Sequence, residues 1–172
     1  RAAEVHLNGV RLPAGALLPA GADVLERALG VGLAALCAEA VGIMKATIDA
    51  TVDYLRTRRQ FGQPIGRFQA LQHRAADMLL HYEQAKSMSY LAAMRCTSKD
   101  AAERRRALSA AKVLTGRAAR FIGQQAVQLH GGMGMTDELI VSHWFKRLTA
   151  IELACGDSDT HLQHFIEASA YV

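Results

Sequence analysis

Proline is found at only three of the 172 positions: Pro13, Pro19 and Pro64. Proline removes a backbone donor and disrupts helix interiors, so the chain between Pro19 and Pro64, and everything after Pro64, is free to form long helices. Apolar residues recur there at three- to five-residue spacing, as at Leu29 and Leu33, which is typical of amphipathic helices. We therefore predict an all-α fold, an up-and-down bundle of long antiparallel helices.

Breaks and capping residues divide this pattern into five helices. Glycine and proline near Pro64 end the first helix, and Gly131 ends the third. Acceptor side chains such as Asp100 and Asp157 are suited to begin helices. The predicted helices run from Asp23 to about Arg58, from near Phe68 to Arg95, from the Ser98/Asp100 cap to Gly131, from Thr136 to about Ala154, and onward from Asp157 or Ser158.

The first 20 residues have a different pattern. Asn8-Gly9 lies between two pairs of alternating apolar residues, Val5 with Leu7 and Val10 with Leu12. This arrangement predicts a short β hairpin at the N-terminus, and a lone hairpin is marginal in water. We therefore expect residues 1–20 to be the trailing strands of a missing β domain and residues 21–172 to be a helical bundle domain. The chain begins at Arg1, so we expect it to be a piece of a longer protein.

Composition argues against several classes of partner. The 20 basic and 16 acidic side chains give a net charge of only +4, and the arginine clusters lack interleaved aromatic residues, so no nucleic acid partner is predicted. No apolar run approaches the roughly 20 residues of a membrane span, so no membrane is predicted.

The cysteines and histidines do not form a metal-binding pattern. Cys37, Cys96 and Cys155 are odd in number and lack C-x-x-C spacing, which favours a reducing, cytoplasmic location over disulfides or structural zinc. His161 and His164 lack a suitable third ligand, so no metal site is predicted.

Two segments carry candidate chemistry, Arg58–Gly62 and Gln128–Gly134. Arg58 either offsets a helix dipole or clamps a phosphate. Phe61 is either a core residue or a cover for a flat ring system. The glycines form either a plain turn or a backbone that a ligand approaches closely, and Gln69 is either a surface residue or a ligand contact. Together they indicate an anionic, partly aromatic ligand held where helices end.

These segments resemble a known family. The first motif reads Tyr54-Leu55-x-x-Arg58-x-Gln60-Phe61-Gly62-Gln63-Pro64-Ile65-Gly66-x-Phe68-Gln69, and the second reads Gln128-x-x-Gly131-Gly132-x-Gly134. Their content, order and separation resemble the C-terminal domain of the acyl-CoA dehydrogenases. The stretch Cys155–Asp159 is similar to small-subunit, pimeloyl-CoA dehydrogenase-like members.

The resemblance implies an oxidoreductase with FAD between the subunits of a dimer or tetramer. Arg58 is then expected to contact FAD phosphate, Phe61 to pack on the cofactor, and Gln69 to hydrogen-bond it. The second motif supplies three further contacts, near the pyrophosphate and adenosine end of a neighbouring subunit's FAD: Gln128, Gly131 and Gly132. The implied partners are an acyl-CoA substrate, as in fatty acid metabolism, and an electron-transfer flavoprotein.

The catalytic base departs from the family pattern. The family's usual glutamate lies 27 residues after the glutamine of the glycine motif, and that position is Cys155. The other known base position lies 29 residues before the phenylalanine, at Gly32. The catalytic residue is therefore unassigned, with Cys155, Glu152, Asp157 and Asp159 as open candidates. The alternative is a non-catalytic subunit or oligomerisation scaffold, with a paralogous partner supplying the base. We expect the fragment to be inactive alone.

Overall fold

The computed structural model describes residues 3–17 and 21–170, and the predicted bundle is present there. Five α-helices and one two-stranded antiparallel ribbon form within these ranges, and the all-α fold class is confirmed. The elements are α1 (Gly21–Thr57), β1 (Arg59–Gln60), β2 (Gln63–Pro64), α2 (Gln69–Arg95), α3 (Ala101–His130), α4 (Ile140–Leu153) and α5 (Ser158–Ser169).

Helix α3 is the centre of the bundle, because it contacts each of the other four helices. Its inner face carries small residues such as Ala118 and Ala126, which let neighbouring helices approach closely. At Gly123 the approach is close enough that a Cβ would lie 2.8 Å from the ring of Phe145. The core residues buried around α3 include Ala40, Met44, Met78, Tyr82, Ala119, Ile122, Val141, Leu148 and Ile151.

Two predicted capping side chains are confirmed, and one predicted helix start is wrong. The Asp100 carboxylate accepts hydrogen bonds from Ala102 N and Glu103 N, and Asp157 accepts one from Thr160 N, so both cap their helices. The predicted start at Thr136 is wrong, because α4 begins at Ile140. The Thr136 hydroxyl instead donates to Met133 O at 2.9 Å and closes the 3₁₀ turn that follows α3.

The expected N-terminal hairpin is absent from the described residues. Residues 3–17 contain no strand, only a 3₁₀ turn at Ala14–Ala16, and Val5 and Leu12 are exposed. A two-residue turn signal does not stabilise a hairpin that has no further sheet or core to cover it. The short strands lie instead at Arg59–Gln60 and Gln63–Pro64. The boundary between residues 1–20 and 21–172 stays a prediction.

Among the described residues, the sequence that includes α1 is long and apolar enough by composition to span a membrane. Within α1, however, Leu33, Cys37, Ala40 and Met44 are buried against other helices. That pattern is equally expected of the core helix of a bundle. The absence of a membrane partner stays a prediction.

The core assignment predicts that Met44→Ala destabilises the chain by about 2–5 kcal/mol, because Met44 has 0% exposure and truncation leaves a cavity. Met94→Ala is the matched control, since Met94 is 69% exposed and its loss should change the free energy of unfolding by no more than about 0.5 kcal/mol. Urea denaturation measures both. Equal effects would contradict the assignment of Met44 to the core.

Candidate functional site

Both sequence motifs lie at the same end of the bundle. The C-termini of α1 and α3 meet there, because antiparallel helices joined by short connections place alternate ends together. The rings of Tyr54 and His130 are 4.5 Å apart between centroids, and they belong to the first and second motif respectively. The residues that the sequence separates by more than 60 positions are thus brought into one region.

The ribbon after α1 presents Phe61 to solvent. Phe61 has a left-handed backbone (φ 53°) and so does Gly62 (φ 76°), which turns the chain tightly between β1 and β2. The Phe61 side chain is 88% exposed, which rules out the interpretation as a core residue in this chain. Left-handed backbone is uncommon and costly for a bulky residue. An exposed aromatic ring held in this way is a candidate ligand contact.

Close packing holds the ribbon against α1. The Ile65 N–H donates to Arg58 O at 2.8 Å. A Cβ at Gly66 would lie 2.9 Å from Leu55 O, so only glycine fits without a shift.

Arg58 and Gln69 provide polar groups beside this ribbon. Both side chains are exposed, and among residues 3–17 and 21–170 no carboxylate lies within 4.0 Å of the Arg58 guanidinium. Gln69 is the first residue of α2, and the preceding Phe68 makes no side-chain cap. The unpaired N–H groups and the helix dipole of this terminus favour negative charge. The region therefore suits an anionic group.

In the glycine turn that follows α3, one glycine is required by close packing and two have free space around them. A Cβ at Gly134 would collide with the carbonyl oxygen of Val127 on α3, whereas nothing lies within 4 Å of a Cβ built on Gly131 or Gly132. Gly131 has φ 61° and ends α3. Gln128, in the last turn of α3, is exposed. The backbone at Gly131 and Gly132 is thus bare and accessible.

A second region lies around the turn between α4 and α5. Cys155 is exposed, with a left-handed backbone (φ 58°). It lines a cavity of about 480 Å³ together with residues from α1, α3 and α5. Four α1 residues form that wall: Glu26, Leu29, Gly30 and Leu33. Of the two family base positions, Cys155 lines this cavity and Gly32 does not, and neither residue is a carboxylate.

The other carboxylates proposed as bases include two with structural roles. Glu152 is buried at 3% exposure; it accepts a hydrogen bond from Ser158 N at 3.2 Å and pairs with Arg120 at 3.3 Å. Asp157 caps α5, and hydrogen bonds from Thr160 hold the pKa of the Asp157 carboxyl below its usual range. Asp159 is exposed in the first turn of α5.

Sequence reasoning missed Lys112, which is 1% exposed. Its ammonium donates to Glu152 O at 2.6 Å and to Gly156 O at 2.7 Å, and burial lowers the pKa of Lys112. The available signal was a lysine flanked by Ala111 and Val113 on a helix rich in alanine. Burial likewise lowers the pKa of His161, whose ring lies 2.9 Å from Cys155 O. Within the described ranges, no cluster of three or more His, Cys, Asp or Glu is placed to hold a metal ion.

Fold and site together define a helical bundle whose exposed groups at one end suit a flat, negatively charged ligand. The family model for "Acyl-CoA dehydrogenase, C-terminal domain" matches residues 20–169. The "Probable acyl-CoA dehydrogenase YngJ" of Bacillus subtilis (strain 168) is 35% identical over 165 residues, which cover 91% of this chain and 42% of that protein. The chain belongs to the acyl-CoA dehydrogenase family, as its C-terminal domain.

Solved structures agree. The ChsE4-ChsE5 complex from Mycobacterium tuberculosis matches with a TM-score of 0.82 at 25% identity, over 88% of this chain and 41% of that one. The FAD complex of PigA matches with a TM-score of 0.67 at 27% identity, over 76% and 34%. The chain spans a third to two fifths of the length of curated relatives such as YngJ and the short-chain specific acyl-CoA dehydrogenase of Rattus norvegicus.

The glycine geometry predicts that two alanine substitutions affect stability to different extents. Gly134→Ala should lower the free energy of unfolding by about 1–3 kcal/mol, since the added carbon is overpacked against a backbone oxygen. Gly132→Ala should change it by no more than about 0.5 kcal/mol, because its surroundings are open. Denaturant unfolding of both variants measures this, and a destabilised Gly132→Ala would show that the turn is more crowded than the structure has it.

Proposed function

We propose that these residues form the C-terminal domain of an FAD-dependent acyl-CoA dehydrogenase and that they contribute cofactor contacts and oligomer interface. The observation that carries the proposal is the meeting of the two motifs at one end of the bundle, through Tyr54 and His130. Around that contact the chain exposes a guanidinium, a phenyl ring and bare main chain at Arg58, Phe61 and Gly132.

The residues present fit FAD by their chemistry. A guanidinium matches phosphate geometry in two parallel hydrogen bonds, so Arg58 is assigned to the FAD phosphate. Phe61, with its exposed ring, is assigned to the flat part of the cofactor, and Gln69 to a hydrogen bond with it. FAD, when bound, supplies the acceptor for the hydride removed from a substrate.

The glycine turn is assigned to the pyrophosphate and adenosine end of a neighbouring subunit's FAD. Close approach of backbone to a pyrophosphate requires that side chains be absent. Gly131 and Gly132 meet that requirement, because no atom occupies the space that their Cβ atoms would fill. Gln128 adds an exposed amide on the preceding turn. FAD would then stabilise the oligomer, since it touches two chains.

We also propose a substrate, an electron acceptor and a cellular location. The name of YngJ supports an acyl-CoA thioester as substrate, and we propose an electron-transfer flavoprotein as the electron acceptor and the cytoplasm as the site of action. A dimer or tetramer supplies the second half of each cofactor site.

A second candidate function follows from the base positions. Cys155 and Gly32 stand where a carboxylate is expected, and Glu152 and Asp157 are engaged in structural hydrogen bonds. A non-catalytic subunit that leaves the base to a paralogous partner accounts for this. The match to a structure of the ChsE4-ChsE5 complex supports an assembly of two different chains.

Substitution of Arg58 tests the cofactor assignment. In the complete gene product that contains these 172 residues, Arg58→Ala should weaken FAD binding by about 10- to 100-fold, the value of a hydrogen bond to a charged group. Arg56→Ala is the matched control, because Arg56 lies in the last turn of the same helix and is exposed, with an ion pair to Asp53 at 4.0 Å. Flavin fluorescence titration measures both. A colourless product that binds no FAD would favour the scaffold function instead.

Substitution of Cys155 separates the two candidate functions. If the Cys155 thiol is the base, Cys155→Ala should abolish turnover of acyl-CoA by the complete gene product while FAD binding stays unchanged. Cys96→Ala is the control, since Cys96 lies at the C-terminus of α2. Unchanged turnover in Cys155→Ala would remove the thiol as the base. If the complete gene product turns over acyl-CoA only when a second, related chain is present, it is the non-catalytic subunit.

A further inference from the structure

The turn between α4 and α5 is held by an unusual internal cation. Lys112 lies in the middle of α3, and its ammonium is directed at two backbone carbonyls, those of Glu152 and Gly156, at 2.6 and 2.7 Å. These carbonyls lie 40 and 44 positions further along the chain. Burying an ammonium is costly unless its donors are satisfied. Within the described residues no carboxylate oxygen lies within 4.0 Å of this ammonium, so its contacts are to the main chain.

Residues of α5 and Glu152 make further hydrogen bonds within the turn. The His161 Nε2–H donates to Cys155 O at 2.9 Å. The buried Glu152 carboxylate accepts from Ser158 N at 3.2 Å, and Asp157 caps α5. Side-chain donors therefore reach the carbonyls of residues 152, 155 and 156. A surface connection between two helices does not require so many contacts.

These contacts hold Cys155 in a conformation that it would not prefer. Its φ of 58° is one of two positive values among the non-glycine residues described, and the next residue, Gly156, has φ 97°. In this conformation Cys155 lines the cavity between α1, α3 and α5. Backbone outliers that the surrounding structure enforces are concentrated at functional sites.

We propose that Lys112 is a positioning residue, whose ammonium fixes the α4–α5 turn so that the side chain at position 155 faces the cavity. This inference deepens the proposed function, because it names the side chain that holds the residue at the family's base position. It rests on the proposed function in one respect, that the residue at position 155 takes part in the reaction. The geometric part does not involve FAD or substrate, so it can fail or succeed separately.

The test removes the ammonium and keeps the length of the side chain. In Lys112→Met, the carbonyls of residues 152 and 156 lose their donors while packing volume is nearly retained. A nitroxide label on Cys155 reports the turn, in a Cys96→Ser background, with Cys37 protected by burial at 1% exposure. Ile122→Val is the matched control, because Ile122 is a buried core residue of the same helix.

In Lys112→Met we expect greater mobility of the label on Cys155. In the unlabelled variant we expect at least tenfold faster hydrogen exchange at the Ser158 amide, which donates to the Glu152 carboxylate. Ile122→Val should change neither. An unchanged label and unchanged exchange in folded Lys112→Met would overturn the proposal, and so would an equal effect of Ile122→Val. A merely structural loss of core stability would affect both variants alike.

If Lys112→Met does not fold, NMR of the unsubstituted chain tests whether the Lys112 ammonium is hydrogen-bonded to the turn. Slowly exchanging Lys112 Nζ protons, with couplings across hydrogen bonds to the carbonyl carbons of Glu152 and Gly156, support the proposal. An ammonium that exchanges freely with water and shows no such couplings overturns it.

Discussion

The structure depends on the close packing of α3 against its four neighbours. Alanine and glycine on its inner face let α1, α2, α4 and α5 surround a single helix, and buried apolar side chains such as Ile122 fill the spaces that remain. Because α3 is central, its C-terminus is placed beside that of α1, and its middle reaches the α4–α5 turn through Lys112. Both functional regions thus owe their position to one helix. A change in how α3 packs would displace both.

The two regions differ in how they are built. At the end of α1 and α3 the site groups are exposed and short of partners, as at Arg58 and Phe61. At the α4–α5 turn the Glu152 carboxylate and the Lys112 ammonium are buried and hydrogen-bonded, while among the described residues Ser158 Oγ and His161 Nδ1 are buried without a partner. The first arrangement suits a surface completed by a ligand or another chain. The second suits a rigid support for one residue beside a cavity.

Local signals in the sequence predicted most of the fold. The caps at Asp100 and Asp157 act within three residues, and Gly131 ends α3 by its own backbone preference, so each was predictable. The prediction of a hairpin at Asn8-Gly9 was wrong, because a strand is stabilised by the neighbouring strands and core that cover it. Those contacts are not encoded in the sequence of the strand itself. The two motifs identified the candidate site, but their contact through Tyr54 and His130 is long-range. The apolar neighbours of Lys112 hinted at its burial, but its hydrogen bonds could not be predicted, since lysine is ordinarily exposed and its acceptors lie at least 40 positions away.

The exposed ring of Phe61 has a consequence for the energetics of assembly. Its apolar surface is hydrated in the isolated chain, and covering it would return free energy at about 25 cal/mol per Å². Any molecule that covers the ring and binds only the folded form shifts the folding equilibrium by mass action. The thermal midpoint of such a chain would therefore rise with the concentration of whatever covers Phe61, and apparent stability would become a measure of occupancy.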